Sequence, residues 1–387
     1  MEQLSEGLVI KKMTTNGLSL ERNIFQESFS TLKDPRRTTK GNIKYSLPEI
    51  LFLTLSAIIS GCNTWVLIAE FGELKIDWLR KFYPYEYGTP SHDTLGAFFS
   101  ALDSKKFSKC FINYAASIST HTQGDVVCFD GKTVRGVGST SKKYPIHIVT
   151  AFCSKNRLSL AQETVGEKEN EIVAIPRLLE LITLKGCIVT IDAMGCQKKI
   201  AEKIREKEAN YILQVKDNQP NLKEQIVKLF ERKTNRETCV NDDCGHGRIE
   251  KRTCEVIDDL TFLDDKEDWK DLKTIIRINS YREIKETEKS STNYRYYISS
   301  LNKDAALINK SIRSHWAIEN NLHWNLDVIF KEDYQLKRKG ESVENFNMMT
   351  KVALALLDNE KSTKKSKPMK RFKASMDDQY REFVLKV

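Results

Sequence analysis

Asp125-Val-Val-Cys-Phe-Asp130 and Cys187-Ile-Val-Thr-Ile-Asp192 are the two stretches that decide the fold. Each is a short apolar, β-branched run that ends in a carboxylate. Gly131-Lys-Thr133 follows the first and Ala193-Met-Gly195 the second. Such runs read as buried strands, and Gly131 reads as the turn after the first. Acids at the carboxyl ends of strands sit where α/β proteins place their active sites. The Gly-Lys-Thr triplet is not a phosphate loop, because that motif needs a glycine five positions before Gly131 and the chain has Val126 there. If the two strands are neighbours, Asp130 and Asp192 converge. Two such carboxylates repel and raise one pKa, a cost normally offset by a metal.

Working outward, Ile146 to Cys153 and Leu158 to Val165, with Arg157 in the turn, extend the first strand into a three-strand meander. A helix from Glu171 to Leu184 leads into the second acid strand. A helix from Lys198 to Glu208 then leads to a fifth strand, Tyr211 to Lys216, and Asp217-Asn-Gln219. Upstream, residues 20–120 are helical in pattern. Ser46-Leu-Pro-Glu49 has capping-box spacing, and the helix that it opens runs through Ile50, Leu51, Leu53, Leu55, Ile58 and Ile59 to a stop at Gly61. A second helix spans Trp65 to Phe82. Ser91 or Asp93 then caps a third, Leu95 to Leu102, and capping is the better reading of His92-Asp93 than catalysis.

Beyond residue 305, Arg313-Ser-His-Trp-Ala-Ile-Glu-Asn-Asn-Leu-His-Trp-Asn-Leu-Asp-Val328 has helical period. Ile318, Leu322, Leu326 and Ile329 make the apolar stripe; His315, Glu319, His323 and Asp327 recur every four residues beside it. This is not the His-Glu-x-x-His zinc motif. A helical carboxylate aimed at the two strand-end aspartates completes a three-acid magnesium site, where paired ions would sit ~3.5–4 Å apart. Trp316 and Trp324 either stack on a base or, the favoured reading, pack in the core.

Composition bounds the rest. Of 387 residues, 62 are Lys or Arg and 53 are acids, a net charge of +9 that suits a polyanionic partner without requiring one. Lys361 to Lys373 holds seven basic residues and no acid, which fits a solvated tail and a nucleic-acid arm equally. No apolar run reaches the ~20 residues of a membrane span, and the opening MEQLSEGLVIKKM lacks signal-peptide order, so a soluble, cytoplasmic protein is expected. The nine cysteines are odd in number and scattered, which reads as reduced, buried thiols. Cys239, Cys244, His246 and Cys254 match no paired zinc knuckle.

FDGKTVRG at 129–136, TIDAMGCQ at 190–197 and RSHWAIENNLHWNLDVIFKED at 313–333 resemble the insertion-sequence DDE transposases of the branch that includes the H-repeat-associated proteins. PSHDT at 90–94, Lys168-Glu-Asn-Glu-Ile172, KDNQ at 216–219 and HGRIEKR at 246–252 resemble the same branch, and the likeness runs from about 25 to about 358. It implies an α/β chain with an RNase H-like catalytic core, a mixed five-stranded sheet with flanking helices. The core would be built from 121–219 and the helical 305–360. Residues 220–304 would form a β-rich insertion, with strands at Arg248 to Ile257, Lys273 to Arg282 and Asn293 to Ser300. A helical, DNA-binding unit at 20–120 would precede it and a basic tail at 361–387 follow it.

The implied activity is magnesium-dependent cutting at element ends and joining of 3′-OH ends to target DNA, with manganese able to substitute. Asp130, Asp192 and Glu319 would be the catalytic metal ligands, and Asp327 is the rival third acid. Lys132, Arg135, Lys216, Arg313, His315 and His323 are the candidate DNA contacts. A homodimer on DNA, in a bacterial cytoplasm and at the nucleoid when bound, is the expected working form. Related branches carry Tyr-x2-Arg-x3-Glu-x6-Lys around the third acid; here His315 and Leu326 replace the Arg and Lys, so those two roles do not carry over. A DNA-binding remnant and a nuclease of the same fold are the alternatives.

Overall fold

The computed structural model describes residues 27–36, 43–118, 124–135, 146–166, 169–232, 235–245, 247–287, 289–337 and 339–386. His246 and Lys168 lie outside the described residues.

The N-terminal helices follow from their caps. In α1 (Leu47–Ile59) the Ser46 side chain accepts from Glu49 N–H while Glu49 reaches back to the Ser46 N–H. Gly61, at φ +100°, ends the turn in a conformation open to glycine. The single helix expected over Trp65 to Phe82 is two, α2 (Trp65–Leu74) and α3 (Ile76–Leu79), because Lys75 leaves helical dihedrals between them. Ser91 caps α4 (His92–Ala101), and α5 (Ser104–Ile118) follows. His92 and Asp93 are first-turn residues of α4, as expected of a cap region.

The sheet is built from β1 (Val126–Val134), β2 (Ile146–Cys153), β3 (Leu158–Val165), β4 (Ile188–Ile191) and β5 (Asn210–Val215), with α6 (Glu171–Glu180) and α7 (Lys198–Glu206) as crossovers. β1 to β3 form the expected antiparallel meander, and β1, β4 and β5 are parallel neighbours. After α8 (Pro220–Arg232) come β6 (Glu237–Gly245), β7 (Arg248–Ile257), β8 (Thr274–Ile284) and β9 (Lys289–Ser299). The insertion therefore opens with a helix and holds one strand, β6, beyond the three read from sequence. It also does not stand apart: β9 pairs with β5, giving one nine-stranded sheet in the order β3-β2-β1-β4-β5-β9-β8-β7-β6.

α9 (Ala305–Ala317) is capped by Asp304 and crosses this sheet at β1 and β4. It runs into a π turn at Ile318–His323 and then α10 (Trp324–Val328). α11 (Ser342–Asn359) is buried along nearly all its length and packs against α1, α4, α5 and β3. One apolar cluster thus joins the N-terminal helices to β1 (Val126, Cys128), α9 and α11. Burying a helix on all sides against others is what fixes it, since propensity alone contributes little.

The segment read as a basic tail forms α12 (Lys367–Met376) and α13 (Asp378–Leu385). Its charges are partly internal: Arg371 donates to the carbonyls of Ile58 and Ile329, and Arg381, fully buried, donates to Ala374 O and lies 3.9 Å from the Trp78 ring centroid.

Candidate active site

Strand register sets the two aspartates level. Val127 pairs with Val189 and Phe129 with Ile191, so Asp130 and Asp192 leave the parallel pair at the same height. Asp192 is held by a hydrogen bond from Met194 N–H to its Oδ1, 3.1 Å. Asp130, however, is not at a strand end. β1 continues through Gly131 to Val134, paired with β2 all the way, so the turn expected at Gly131 does not exist. A Cβ there would overlap Glu171 Oε1 and His147 Nε2, so a larger residue would push those two side-chain ends aside.

Glu319 enters from the π turn. Asp130, Asp192 and Glu319 line one open cavity of about 510 Å³, with Thr190, Lys216 and Arg295. Burial first, and then the charges of Asp192, Glu171 and Glu319, push Asp130 up to about 8. Asp192 is raised too, by burial and then by Glu171, while the Gly195 and Met194 N–H groups and then Lys216 pull it back. Among the described residues no three His, Cys, Asp or Glu side chains form a cluster close enough to hold a metal ion. The donor set nonetheless fits a hard divalent cation: every donor is a carboxylate oxygen, and the like charges that add to burial in lifting Asp130 are what such an ion would offset.

The other expected residues divide. Asp327, the rival third acid, is taken by Lys132, whose Nζ is 2.6 Å from Asp327 Oδ1, 2.5 Å from Glu332 Oε2 and 3.7 Å from Asp333. Lys132 is therefore an internal tie rather than a free cation, with its side chain only 14% exposed. Arg135 donates its backbone N–H to Asp333 and leaves its side chain exposed. Arg313 is exposed on α9, 3.6 Å from Asp243 of β6. His315 lines the cavity with Nδ1 3.0 Å from Thr190 Oγ1, and burial holds its pKa down to about 4.

His323 lies with Nδ1 3.4 Å from Asp130 Oδ2, its Nε2 buried without a hydrogen-bond partner. Burial, then the Lys351 and Lys132 charges, lower it to about 3. Both imidazoles are thus neutral, His323 against Asp130 and His315 against Thr190. The core reading of the two tryptophans fails: Trp316 is 40% and Trp324 55% exposed, and Trp316 lines the cavity under Arg295. The stripe of Ile318, Leu322, Leu326 and Ile329 is buried as expected, and both indoles lie off it.

Sequence reasoning missed Glu171, His147, Glu332 and Lys351. Glu171 sits in the Lys168–Ile172 stretch, but an acid in a first helical turn is unremarkable by itself. The cysteines are free thiols; six are buried, and burial pushes Cys128 up to about 12. Cys239 and Cys254 face each other across β6 and β7, with Cys244 exposed. No helix of the described residues is long and apolar enough to cross a membrane.

This site belongs to a recognisable class. Residues 121–356 match the Transposase DDE domain model and residues 26–115 match the DDE_Tnp_1-associated model. The chain is a member of the DDE transposase family, whose catalytic domain has an RNase H-like core. Among its relatives is "Putative transposase YncI" of Escherichia coli O157:H7, 38% identical over 364 residues, 92% of this chain and 93% of that one. Another is "H repeat-associated putative transposase YhhI" of Escherichia coli K12, 36% identical over 376 residues, 95% of this chain and 98% of that one. A solved piggyBac transposase synaptic complex with hairpin DNA aligns with TM-score 0.46 and 13% identity, covering 95% of this chain and 80% of that one.

Proposed function

We propose that this protein is a divalent-metal-dependent transposase that cuts DNA at the ends of its insertion element and joins the freed 3′-OH ends to target DNA. The observation that carries the reading is the level placement of Asp130 and Asp192 on adjacent parallel strands with Glu319 across the same cavity. These three would hold magnesium or manganese, which supplies Lewis acidity at the attacking and leaving oxygens. The chain's own part is positioning. Lys216 and Arg295 on the cavity wall, with exposed Arg135 and Arg313 nearby, attract phosphates and hold the scissile strand over the acids. Neutral His323 fills the space behind Asp130 without competing for its charge.

In the first step a water oxygen displaces the 3′ oxygen from an end phosphate, leaving a 3′-OH. In the second, that hydroxyl displaces a target 3′ oxygen, and the number of phosphodiester bonds is conserved. Pairing of two element ends makes a homodimer on DNA, acting at the bacterial nucleoid, the natural working form.

All three acids are present and face one cavity, which supports an enzyme over a DNA-binding remnant. The test uses supercoiled DNA carrying flanking element ends, with magnesium or with chelator. Wild type should cleave and join only with magnesium, and Asp192→Ala should do neither. Cleavage without joining would identify a nuclease, tight binding without cleavage a remnant, and equal cleavage by both proteins would remove the active-site assignment.

A further inference from the structure

The strand that carries Asp130 has a second polar row on its other face. Successive strand residues point to opposite sides, so Gly131 and Thr133 look away from the cavity that Asp130 lines. On that side Thr133 Oγ1 is 2.9 Å from His147 Nδ1, and His147 Nε2 is 2.7 Å from Glu171 Oε1. With Nε2–H donating to Glu171 and Nδ1 accepting from Thr133, both ring nitrogens are used. Glu171 opens α6 and is only 9% exposed. Residue 131 makes room for the pair by having no Cβ. The carboxylate therefore abuts the backbone next to Asp130.

We infer that Glu171, oriented by His147 and Thr133, is a positioning residue of the acid site: a fixed negative charge behind β1 that strengthens capture of a divalent cation by Asp130 and Asp192. The inference rests on the reading of those acids as the cation site. A buried acid placed beside two others costs stability; a site that must attract a cation gains from it. Partners that orient and charge-tune a metal site in this way typically change affinity ten- to a hundredfold, on the order of the effect expected here.

The test is Mn2+ binding to the full chain without DNA, read from the electron paramagnetic resonance of the free ion, alongside thermal unfolding of the metal-free protein. Glu171→Gln keeps the acceptor for His147 and removes the charge. It should bind Mn2+ about tenfold more weakly, with a metal-free midpoint at or above that of wild type because a like charge is gone. His147→Ala keeps every acid and should also weaken binding; His147→Gln, whose amide can donate to Glu171, should restore part of it. Wild-type Mn2+ affinity in Glu171→Gln and His147→Ala, beside its loss in Asp192→Asn, overturns the inference. So does a Glu171→Gln protein whose only change is a lower midpoint, which marks a structural role. Undiminished affinity in Asp192→Asn would instead remove the cation site itself, and with it the function proposed above.

Discussion

Replacing Lys132 with methionine separates two roles for that residue. Methionine keeps most of the side-chain volume and removes only the ammonium. In the structure that ammonium is shared by Glu332, whose side chain is 7% exposed, and Asp327, which is 35% exposed. Glu332 would keep its hydrogen bond from Asn347 but lose its nearest cation. Breaking a buried pair by removing one partner costs about 3–5 kcal/mol. The Asp327 share is discounted, since a third of that side chain is in water. A loss of about 3 kcal/mol in unfolding free energy is therefore expected, measured by urea unfolding followed by tryptophan fluorescence at neutral pH. Adding Glu332→Gln to the methionine variant should recover much of it, giving a coupling that a double-mutant cycle reads directly. A loss below about 1 kcal/mol, with weaker DNA binding, would refute this account and return Lys132 to the phosphate-contacting role that its place after Asp130 first suggests.

His315 and His323 are held below the ordinary 6.5, to about 4 and about 3. Below 6.5 the unfolded chain therefore binds more protons than the folded one, so their contribution is intact above 6.5 and falls as pH drops towards those folded values. Urea midpoints measured down that range should fall, and His323→Asn should flatten the fall; an equally steep curve in the variant would rule the residue out. Arg381→Met should cost about 2–3 kcal/mol by removing a buried guanidinium that bonds Ala374 O and Asp378 and sits over Trp78 of the N-terminal helices, and a wild-type melting curve would show that α13 is not part of the cooperative unit. Affinity for element-end DNA should drop steeply between low and moderate salt as phosphate contacts release counterions; a flat salt profile would count against nucleic acid as the partner.

How legible each part was follows from the range of the interactions that shape it. β1, β4 and β5 were visible because a strand buried on both faces must be a continuous apolar run. Ser46 and Glu49 announced α1 because a capping box closes within four residues. β6 was not visible: Glu237-Thr-Cys-Val-Asn-Asp-Asp-Cys-Gly245 is exposed, lacks alternation and contains poor strand formers. It is a strand because β7 pairs with it through a tight turn at Gly247, φ +73°. The extension of β1 past Gly131 was hidden for a similar reason, since glycine ordinarily marks a turn and the demand for an absent side chain comes from Glu171, forty residues on. Asp130, Asp192 and Glu319 could be picked out by position, whereas Lys132 could not be distinguished from a DNA contact until its carboxylate partners, some two hundred residues away, were in place.

The π turn at Ile318–His323 locks the length of its helix. Trp324 N–H donates to Glu319 O, a five-residue step, and Asn325 Nδ2 caps the carbonyls of Asn320 and Asn321 that the wider turn leaves open. One extra residue in a turn is how a helix absorbs an insertion without a loop. Deleting any one of the six would close the turn to an ordinary α turn and rotate the halves against each other by about 100°. Glu319 could then face the two aspartates, or Asp327 could face Lys132, but not both. A one-residue deletion here therefore costs either Glu319's place at the cavity or Asp327's tie to Lys132, which a substitution need not do.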